Sequence, residues 1–418
     1  MRIGYACLTV GVRDTALKNC MLKNADAARL FEITEHNLNC FDNMLNYNIR
    51  TGIHLFRVSS DLIPFASRPD YPFSWQEKFS QKLKQLGDKA LQNRIRLSMH
   101  PGQYTVLNSP NAEVVKNAIS DLEYHCSLMD SMRLGSDSKI ILHIGGIYQD
   151  KKAAIERFLI HYSYLSEAIK KRLIFENDDK SYHIADVLDI ASKLSAPVVF
   201  DNLHHSVNPC DNLHTDNFWI NECKKTWKQT DGCQKIHYSQ QEPSKKPGSH
   251  SSTIHIRDFL DYYNGLDSKD IDIMLEVKDK NLSAVKCILC TSDTKKIGAL
   301  EDEWSKYKYS VLEKSPQDYL EIRKILKNKS KYPAVGFYEL LEDALYQQTN
   351  QGKFINALQH VWGYFKNTAS EKEKASFIKM TKNFEQGNIS EHTIKNYLLK
   401  LAVKYQQDYL LNSYYFDL

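Results

Sequence analysis

A chain of 418 residues, 42% hydrophobic and 25% charged, has the make-up of a soluble globular protein. Its length suits two or three domains of roughly 150 residues, and long disorder or collagen-like repetition is excluded. Fifty-five basic against 51 acidic residues leave +4, so bulk charge does not mark a nucleic-acid binder, although a local basic patch can still steer one.

Short apolar runs rich in β-branched residues recur along the first two thirds of the chain, at residues 2–7, 52–58, 95–100, 139–144, 172–176, 197–201, 235–238 and 271–277. Several are apolar throughout, as Pro197-Val-Val-Phe200, the pattern of a parallel strand covered on both faces. The intervals are long enough for crossover helices; residues 110–132, for example, carry Val115, Ala118, Leu122 and Met129 at helical spacing. Eight strands alternating with helices over about 280 residues predict a (β/α)8 barrel. An open doubly wound sheet lacks support, because no glycine-rich phosphate turn follows the first strand. Beyond residue 300, where 12 of the 24 tyrosines fall, strand-like runs disappear. Ser315-Pro316-Gln-Asp318 reads as a helix start, Ser370-Glu-Lys-Glu373 has capping-box spacing, and Phe354, Ile355, Leu358, Val361, Trp362 and Phe365 share a helical face. The division expected is a barrel domain at 1–290, a linker at 291–300 and a separate all-α domain of about five helices at 301–418.

Nine scattered cysteines imply a reduced, intracellular chain. Cys287 and Cys290 form one C-x-x-C pair without a second at zinc spacing, and read as ordinary cysteines. The opening MRIGYACLTVG is too weak for a signal peptide, and no run reaches the roughly 18 apolar residues of a membrane span. A cytoplasmic protein without a membrane partner is expected.

In a barrel, side chains at the C-terminal strand ends and in the loops beyond them build the active-site face. Those positions hold His100, His143, Glu176, Asp201 with His204 and His205, Lys235 and His237, His250, and Glu276. Taken singly, each has a bland explanation: a histidine near a strand end is more often a hydrogen bonder, and Asp201 suits a helix N-cap. Six consecutive strands delivering imidazole or carboxylate to one rim is another matter. Mixed nitrogen and oxygen donors suit Zn²⁺, Mn²⁺ or Fe²⁺ rather than Mg²⁺ or Ca²⁺. So many ligands exceed one ion, and a multinuclear centre follows; His205 is held out as structural. Clustered divalent ions bring bound water to a pKa near 7 and neutralise charge on phosphate oxygens. Spacing alone does not separate a phosphodiesterase from a metal-dependent sugar isomerase.

The strings Leu62-Ile-Pro-Phe-Ala-Ser67, Leu97-Ser-Met-His-Pro-Gly-Gln-Tyr104, Leu142-His-Ile-Gly-Gly146, Phe175-Glu-Asn-Asp178, Phe200-Asp-Asn-Leu-His-His205, Lys235-Ile-His237, Pro247-Gly-Ser-His250 and Leu275-Glu-Val-Lys278 occur in order. Together they resemble the UV damage endonuclease family over roughly residues 1–285. The resemblance implies a TIM barrel related to endonuclease IV that nicks duplex DNA immediately 5′ to cyclobutane pyrimidine dimers and 6-4 photoproducts, leaving a 3′-hydroxyl and a 5′-phosphate. It implies three divalent ions, Mn²⁺ the usual one and Zn²⁺ the alternative. His100, His143 and Glu176 would hold the first, Glu176, Asp201, His237 and Glu276 the second, and His204 with His250 the third. Glu176, Lys235 and His237 would act in catalysis, Lys235 as a carboxylated lysine in some relatives. Gln103 and Tyr104 match a pair that wedges into the duplex at the lesion, and Tyr5 a second probing tyrosine. A damaged dinucleotide stacks poorly, so extruding it costs less than extruding normal bases.

Arg68 stands where many relatives carry a histidine associated with the active site, and implies a phosphate contact, weakened catalysis or a shifted substrate range. The segment after Tyr5 is shortened relative to some members. An abasic-site or structure-selective endonuclease on the same centre, and a barrel that binds damaged DNA without cutting, are the alternatives. A full ligand set argues against the pure binder. Gln103-Tyr104 and the basic pair Lys245-Lys246 argue against a sugar isomerase. Residues 301–418 resemble the YbgA-like domain of unknown function through Trp304-Ser-Lys-Tyr-Lys-Tyr309, Glu313-Lys-Ser-Pro-Gln-Asp-Tyr319, Asn356-Ala-Leu-Gln-His-Val-Trp-Gly-Tyr-Phe365 and Tyr409-Leu-Leu-Asn412; a protein partner enters only in the non-cutting alternative, where this domain would recruit it.

Overall fold

In the computed structural model, which describes every residue but Asn212 and Lys295, eight parallel strands close into a barrel in sequence order. They are β1 (Ile3–Ala6), β2 (Leu55–Val58), β3 (Arg96–Met99), β4 (Ile140–His143), β5 (Leu173–Glu176), β6 (Val198–Asp201), β7 (Lys235–Tyr238) and β8 (Asp272–Leu275). Each lies inside its expected apolar run. The runs are longer than the ladders because burial continues past the last paired residue: Ile95 and Val277 are buried beside β3 and β8 without belonging to them. β1 closes the barrel by pairing with both β2 and β8. A helix fills every interval. Asp26 caps Ala27–Thr51 by accepting from the Arg29 amide, and Asn111 caps Ala112–Ser131 through the amides of Glu113 and Val114.

Strand alternation decides which side chains enter the barrel. The interior holds apolar layers such as Ala6, Leu55 and Met274, and Ile141, Ile174 and Val199. Its two ends differ chemically. At the N-terminal end, the buried Arg96 guanidinium donates to Asp272 Oδ2 at 2.9 Å, to Asp137 O at 2.9 Å and to Asp231 O at 2.7 Å. This is a structural plug with its hydrogen bonds filled. The C-terminal end carries the ionisable residues singled out above.

The chain divides into two compact units, the barrel unit (Met1–Thr9, Asp14–Ile254, Tyr262–Val285) and a helical unit (Val10–Arg13, His255–Asp261, Lys286–Leu418). Lys295, within the expected linker, lies outside the described residues, and from Ile297 the chain is already helical. Six helices of twelve or more residues follow among the described residues, one more than expected: Ile297–Lys314, Pro316–Lys327, Ala334–Tyr346, Gln351–Trp362, Glu371–Glu385 and Glu391–Lys404. Prolines at 316 and 333 fall at the first two breaks, where a proline cannot continue a helix. Ser315 caps the second helix and Ser370 with Glu373 forms the capping box of the fifth. Phe354, Leu358, Val361 and Phe365 are buried together with Ile394 and Leu398, and Trp362 stacks on Phe377 at 4.1 Å. No helix among the described residues is long and apolar enough to cross a membrane.

Candidate metal centre

Register places the candidate ligands side by side. His143 pairs with Glu176 across β4 and β5, and Asp201 with His237 across β6 and β7. Three groups of ligand atoms result, each lying within 4.8 Å of one another: His100, His143 and Glu176; Glu176, Asp201 and His204; Glu176, His237 and Glu276. Glu176, buried and common to all three, has Oε2 3.1 Å from His100 Nε2 and 3.6 Å from His143 Nε2. Its Oε1 is 2.7 Å from His237 Nδ1, and His237 Nδ1 is also 3.2 Å from Glu276 Oε1. The partition differs from the expected one. Asp201 groups with His204 rather than with His237, and His250 stands 3.8 Å from Glu276 Oε2, outside every three-ligand group among the described residues.

Asp201 fills two roles at once. Its Oδ1 caps the short helix Asn202–Val207 by accepting from the His204 amide at 2.7 Å, while its buried Oδ2 has no hydrogen-bond partner. His237 Nε2 and His143 Nδ1 are likewise buried without one. An orphaned buried polar atom costs about 1–3 kcal/mol, so the unpartnered Asp201 Oδ2, beside the Glu176 and Glu276 carboxylates, is what a cation-binding site accommodates. The donor set, imidazole and carboxylate without sulfur, fits Mn²⁺, Zn²⁺ or Fe²⁺. Neighbouring carbonyls fix two imidazoles for the task. His100 Nδ1 lies 3.1 Å from Pro101 O and His204 Nδ1 lies 2.9 Å from Asn177 O; donation there leaves each Nε2 as the lone-pair atom.

The electrostatics show how tightly charge is packed. Burial alone would raise the Glu176 carboxyl, but the imidazoles of His237 and His143 hold it well below the usual carboxylate range. Burial raises Asp201, with Glu176 and Glu276 adding to the effect against His204. Burial disfavours a charged His204, yet Asp201 and Glu176 lift it to about 9. Divalent ions displace such protons when they bind.

Lys235 lies on the barrel-facing side of β7, two residues before His237. Its amine is fully buried without a hydrogen-bond partner, and burial, with Arg96 and Arg57 nearby, holds its pKa well below the lysine range. Two residues of the site escaped the sequence reading. Arg57 pairs with Glu276, and a lone arginine inside the apolar run Leu55-Phe-Arg-Val58 was the signal for it. Asn177, fully buried, donates to Asp201 O at 3.0 Å and accepts from the Asp201 amide at 2.9 Å; nothing local marked it. His205 packs on Phe200 and Trp219, away from the ligands.

Of the expected DNA contacts, Gln103 and Tyr104 are exposed, Tyr104 by 67%. Tyr5 requires a correction. It is fully buried, its ring 5.0 Å from Phe56 and its hydroxyl donating to Asn48 at 2.9 Å, because strand alternation turns it toward the helix Ala27–Thr51. It is a core residue here, not a surface probe. Arg68 is exposed and committed to Asp70, both contacts at 2.9 Å, rather than to any metal ligand. Lys245 and Lys246 are exposed on a loop closed by the bridge between Gln241 and His250.

A closed eight-stranded (β/α) barrel with shared-carboxylate ligand groups at its C-terminal rim defines the class, a barrel protein with a candidate multinuclear metal centre. Comparison with known proteins makes this specific. The UV-endonuclease UvdE family matches residues 1–307, and a protein family of unknown function, DUF1722, matches 308–418. A UV DNA damage endonuclease of Clostridium perfringens (strain 13 / Type A) is 40% identical over 99% of both chains. One from Bacillus cereus (strain Q1) is 31% identical over 69% of this chain and 93% of its own. The crystal structure of SacUVDE superposes with a TM-score of 0.65 at 40% identity, covering 69% of this chain and 96% of its own. The chain belongs to the UV-endonuclease UvdE family, a family of DNA repair endonucleases.

Proposed function

We propose that the barrel is a metal-dependent endonuclease that incises duplex DNA immediately 5′ to cyclobutane pyrimidine dimers and 6-4 photoproducts. The observation that carries this is the sharing of Glu176 among three ligand groups, on the rim that also exposes Gln103 and Tyr104, in a chain of this family. His100 and His143, Asp201 and His204, and His237 and Glu276 would each complete one site with Glu176, with His250 beside Glu276. Mn²⁺ is the ion proposed. Bound there, divalent ions lower the pKa of water and neutralise charge on the phosphodiester oxygens.

The protein's own residues do the rest. Tyr104 and Gln103 enter the duplex where weakened stacking lowers the cost of extrusion, which brings the phosphate 5′ of the lesion to the ligand cluster. Attack by water oxygen on phosphorus breaks the P–O3′ bond. The departing oxygen takes up a proton as a 3′-hydroxyl, and the phosphate stays on the 5′ end. Burial disfavours the charged form of the Lys235 amine, and addition of carbon dioxide to the free amine with release of a proton would make a carbamate, one more carboxylate beside the cluster. Substrate and compartment go together in this reading: chromosomal DNA in the cytoplasm. A nicking assay on duplexes carrying one dimer, one abasic site or no lesion tests it, run with Mn²⁺ and with chelator. Cutting restricted to the dimer, dependent on metal and lost in Glu176→Gln, is the result expected. Cutting of the abasic duplex alone would replace it with the abasic-site alternative.

A further inference from the structure

The loop after β4 combines features that metal binding does not use. It leaves His143 through Gly145 and Gly146 and then exposes Ile147 and Tyr148 by 42% and 41%. Tyr148 and Gln149 are consecutive non-glycine residues with φ of 48° and 68°. Left-handed backbone is unfavourable for such residues and persists where the surroundings enforce it, commonly at functional loops.

The enforcing contacts are all present. Asn108, fully buried, donates through Nδ2 to Gly146 O at 2.7 Å and to the Tyr182 hydroxyl at 3.2 Å. A side chain at Gly145, where φ is 113°, would collide with Asn108. Arg157 donates to Asn108 O at 2.9 Å and places its guanidinium 5.6 Å from the Tyr148 ring centre. His161 Nδ1 lies 2.6 Å from Leu107 O. The loop bearing Tyr148 is thereby tied to residues 107 and 108, the end of the loop that bears Gln103 and Tyr104. The two tyrosines are also set alike. Each follows a glycine by two residues, and each ring lies against that glycine, Tyr104 over Gly102 and Tyr148 over Gly146. Both rings reach solvent, Tyr104 by 67% and Tyr148 by 41%.

We propose that Tyr148 is a second aromatic contact to the DNA at the barrel rim, stacking on a base beside the lesion while the Asn108–Arg157 brace holds its loop. This rests on the reading of the rim as the surface that receives duplex DNA. Stacking on a base is tolerant of sequence and is lost on truncation to alanine. Tyr148 touches the substrate and takes no part in the hydrolysis.

The test is equilibrium binding of dimer-containing and undamaged duplexes to the full-length protein in chelator, where no strand is cut. The proteins compared are wild type, Tyr148→Ala, Tyr148→Phe and Tyr148→Leu, with thermal unfolding as a check on integrity. Tyr148→Ala and Tyr148→Leu are expected to weaken binding of the dimer duplex about tenfold, and Tyr148→Phe to retain it. A purely structural tyrosine would instead make leucine and phenylalanine equivalent or shift the unfolding temperature alone. Unchanged affinity in Tyr148→Ala overturns the inference while leaving the proposed function standing, provided wild type cuts the dimer duplex with Mn²⁺. A wild type that binds but does not cut, with affinity lost in the alanine variant, sustains the contact and sinks the proposed reaction. A wild type that binds neither duplex overturns both.

Discussion

Asn177 is the most informative residue to change, because it touches the candidate centre only through Asp201 and His204. Its side chain spans the Asp201 peptide, with bonds of 3.0 and 2.9 Å, in a fully buried position. Asn177→Ala removes both bonds and leaves a buried N–H and C=O without their partners. At about 1–3 kcal/mol for each unsatisfied group, with partial relief from water entering the space of the lost amide, the loss of stability should be about 2–4 kcal/mol. The effect on ions held by Asp201 and His204 is separate. Removing an outer hydrogen bond that orients a ligand typically lowers metal affinity by about 10–100-fold. Urea unfolding reads the first quantity, and Mn²⁺ titration of the folded protein at low denaturant-free concentration reads the second. Asn177→Asp, which sets a carboxylate oxygen against the Asp201 carbonyl in a fully buried position, should be at least as destabilised as alanine. An alanine variant as stable as wild type would refute the hydrogen-bond argument. One that is destabilised but binds Mn²⁺ unchanged would refute the link from Asn177 to the ligands.

Other expectations are more compact. Arg96→Met should destabilise by about 3–5 kcal/mol, since it takes the buried guanidinium from Asp272, which keeps only Arg2, and from the carbonyls of Asp137 and Asp231, and adding Asp272→Leu should cost less than the sum of the two single changes; additivity in urea unfolding would refute the pairing. Tyr5→Phe should lower stability by about 1 kcal/mol through the lost bond to Asn48, and unchanged stability in urea unfolding would contradict this. In the helical unit, hydrogen bonds from Lys404, Tyr405 and Ser370 bring the Glu373 carboxyl to about 2. Its folded pKa is depressed, so its contribution to stability is present above the unfolded carboxylate pKa and is lost as pH falls toward 2. Glu373→Gln should therefore flatten the acid limb of the stability profile, and an unchanged limb would contradict this.

The barrel was legible because its strands are covered on both faces and so read as unbroken β-branched runs, and the ligands because they interrupt those runs at one end. Lys235-Ile-His237 shows both at once: the outward Ile236 is apolar and its inward neighbours are not. What escaped was long-range. Arg57 finds its partner Glu276 across the barrel, and Asn177 serves Asp201 through register, which no local pattern encodes. Tyr5 was assigned to the surface by resemblance, against the parity of its strand, where Gly4 and Ala6 take the interior side. The grouping of Asp201 with His204 also follows from a local device, the N-cap that places the His204 amide on Asp201 Oδ1. In the helical unit the prolines at 316 and 333 marked breaks, but the number of helices between apolar faces was underestimated by one.

The central claim is the position and chemistry of the cut, and a duplex with a single cyclobutane dimer, labelled at each end in turn, tests it most directly. Resolved to one nucleotide after incubation with Mn²⁺, wild type should yield one break immediately 5′ to the dimer, with a 3′ end that a polymerase extends and a 5′ end that a ligase accepts. A break elsewhere, a blocked 3′ end, or an intact strand in protein loaded with metal would contradict the account.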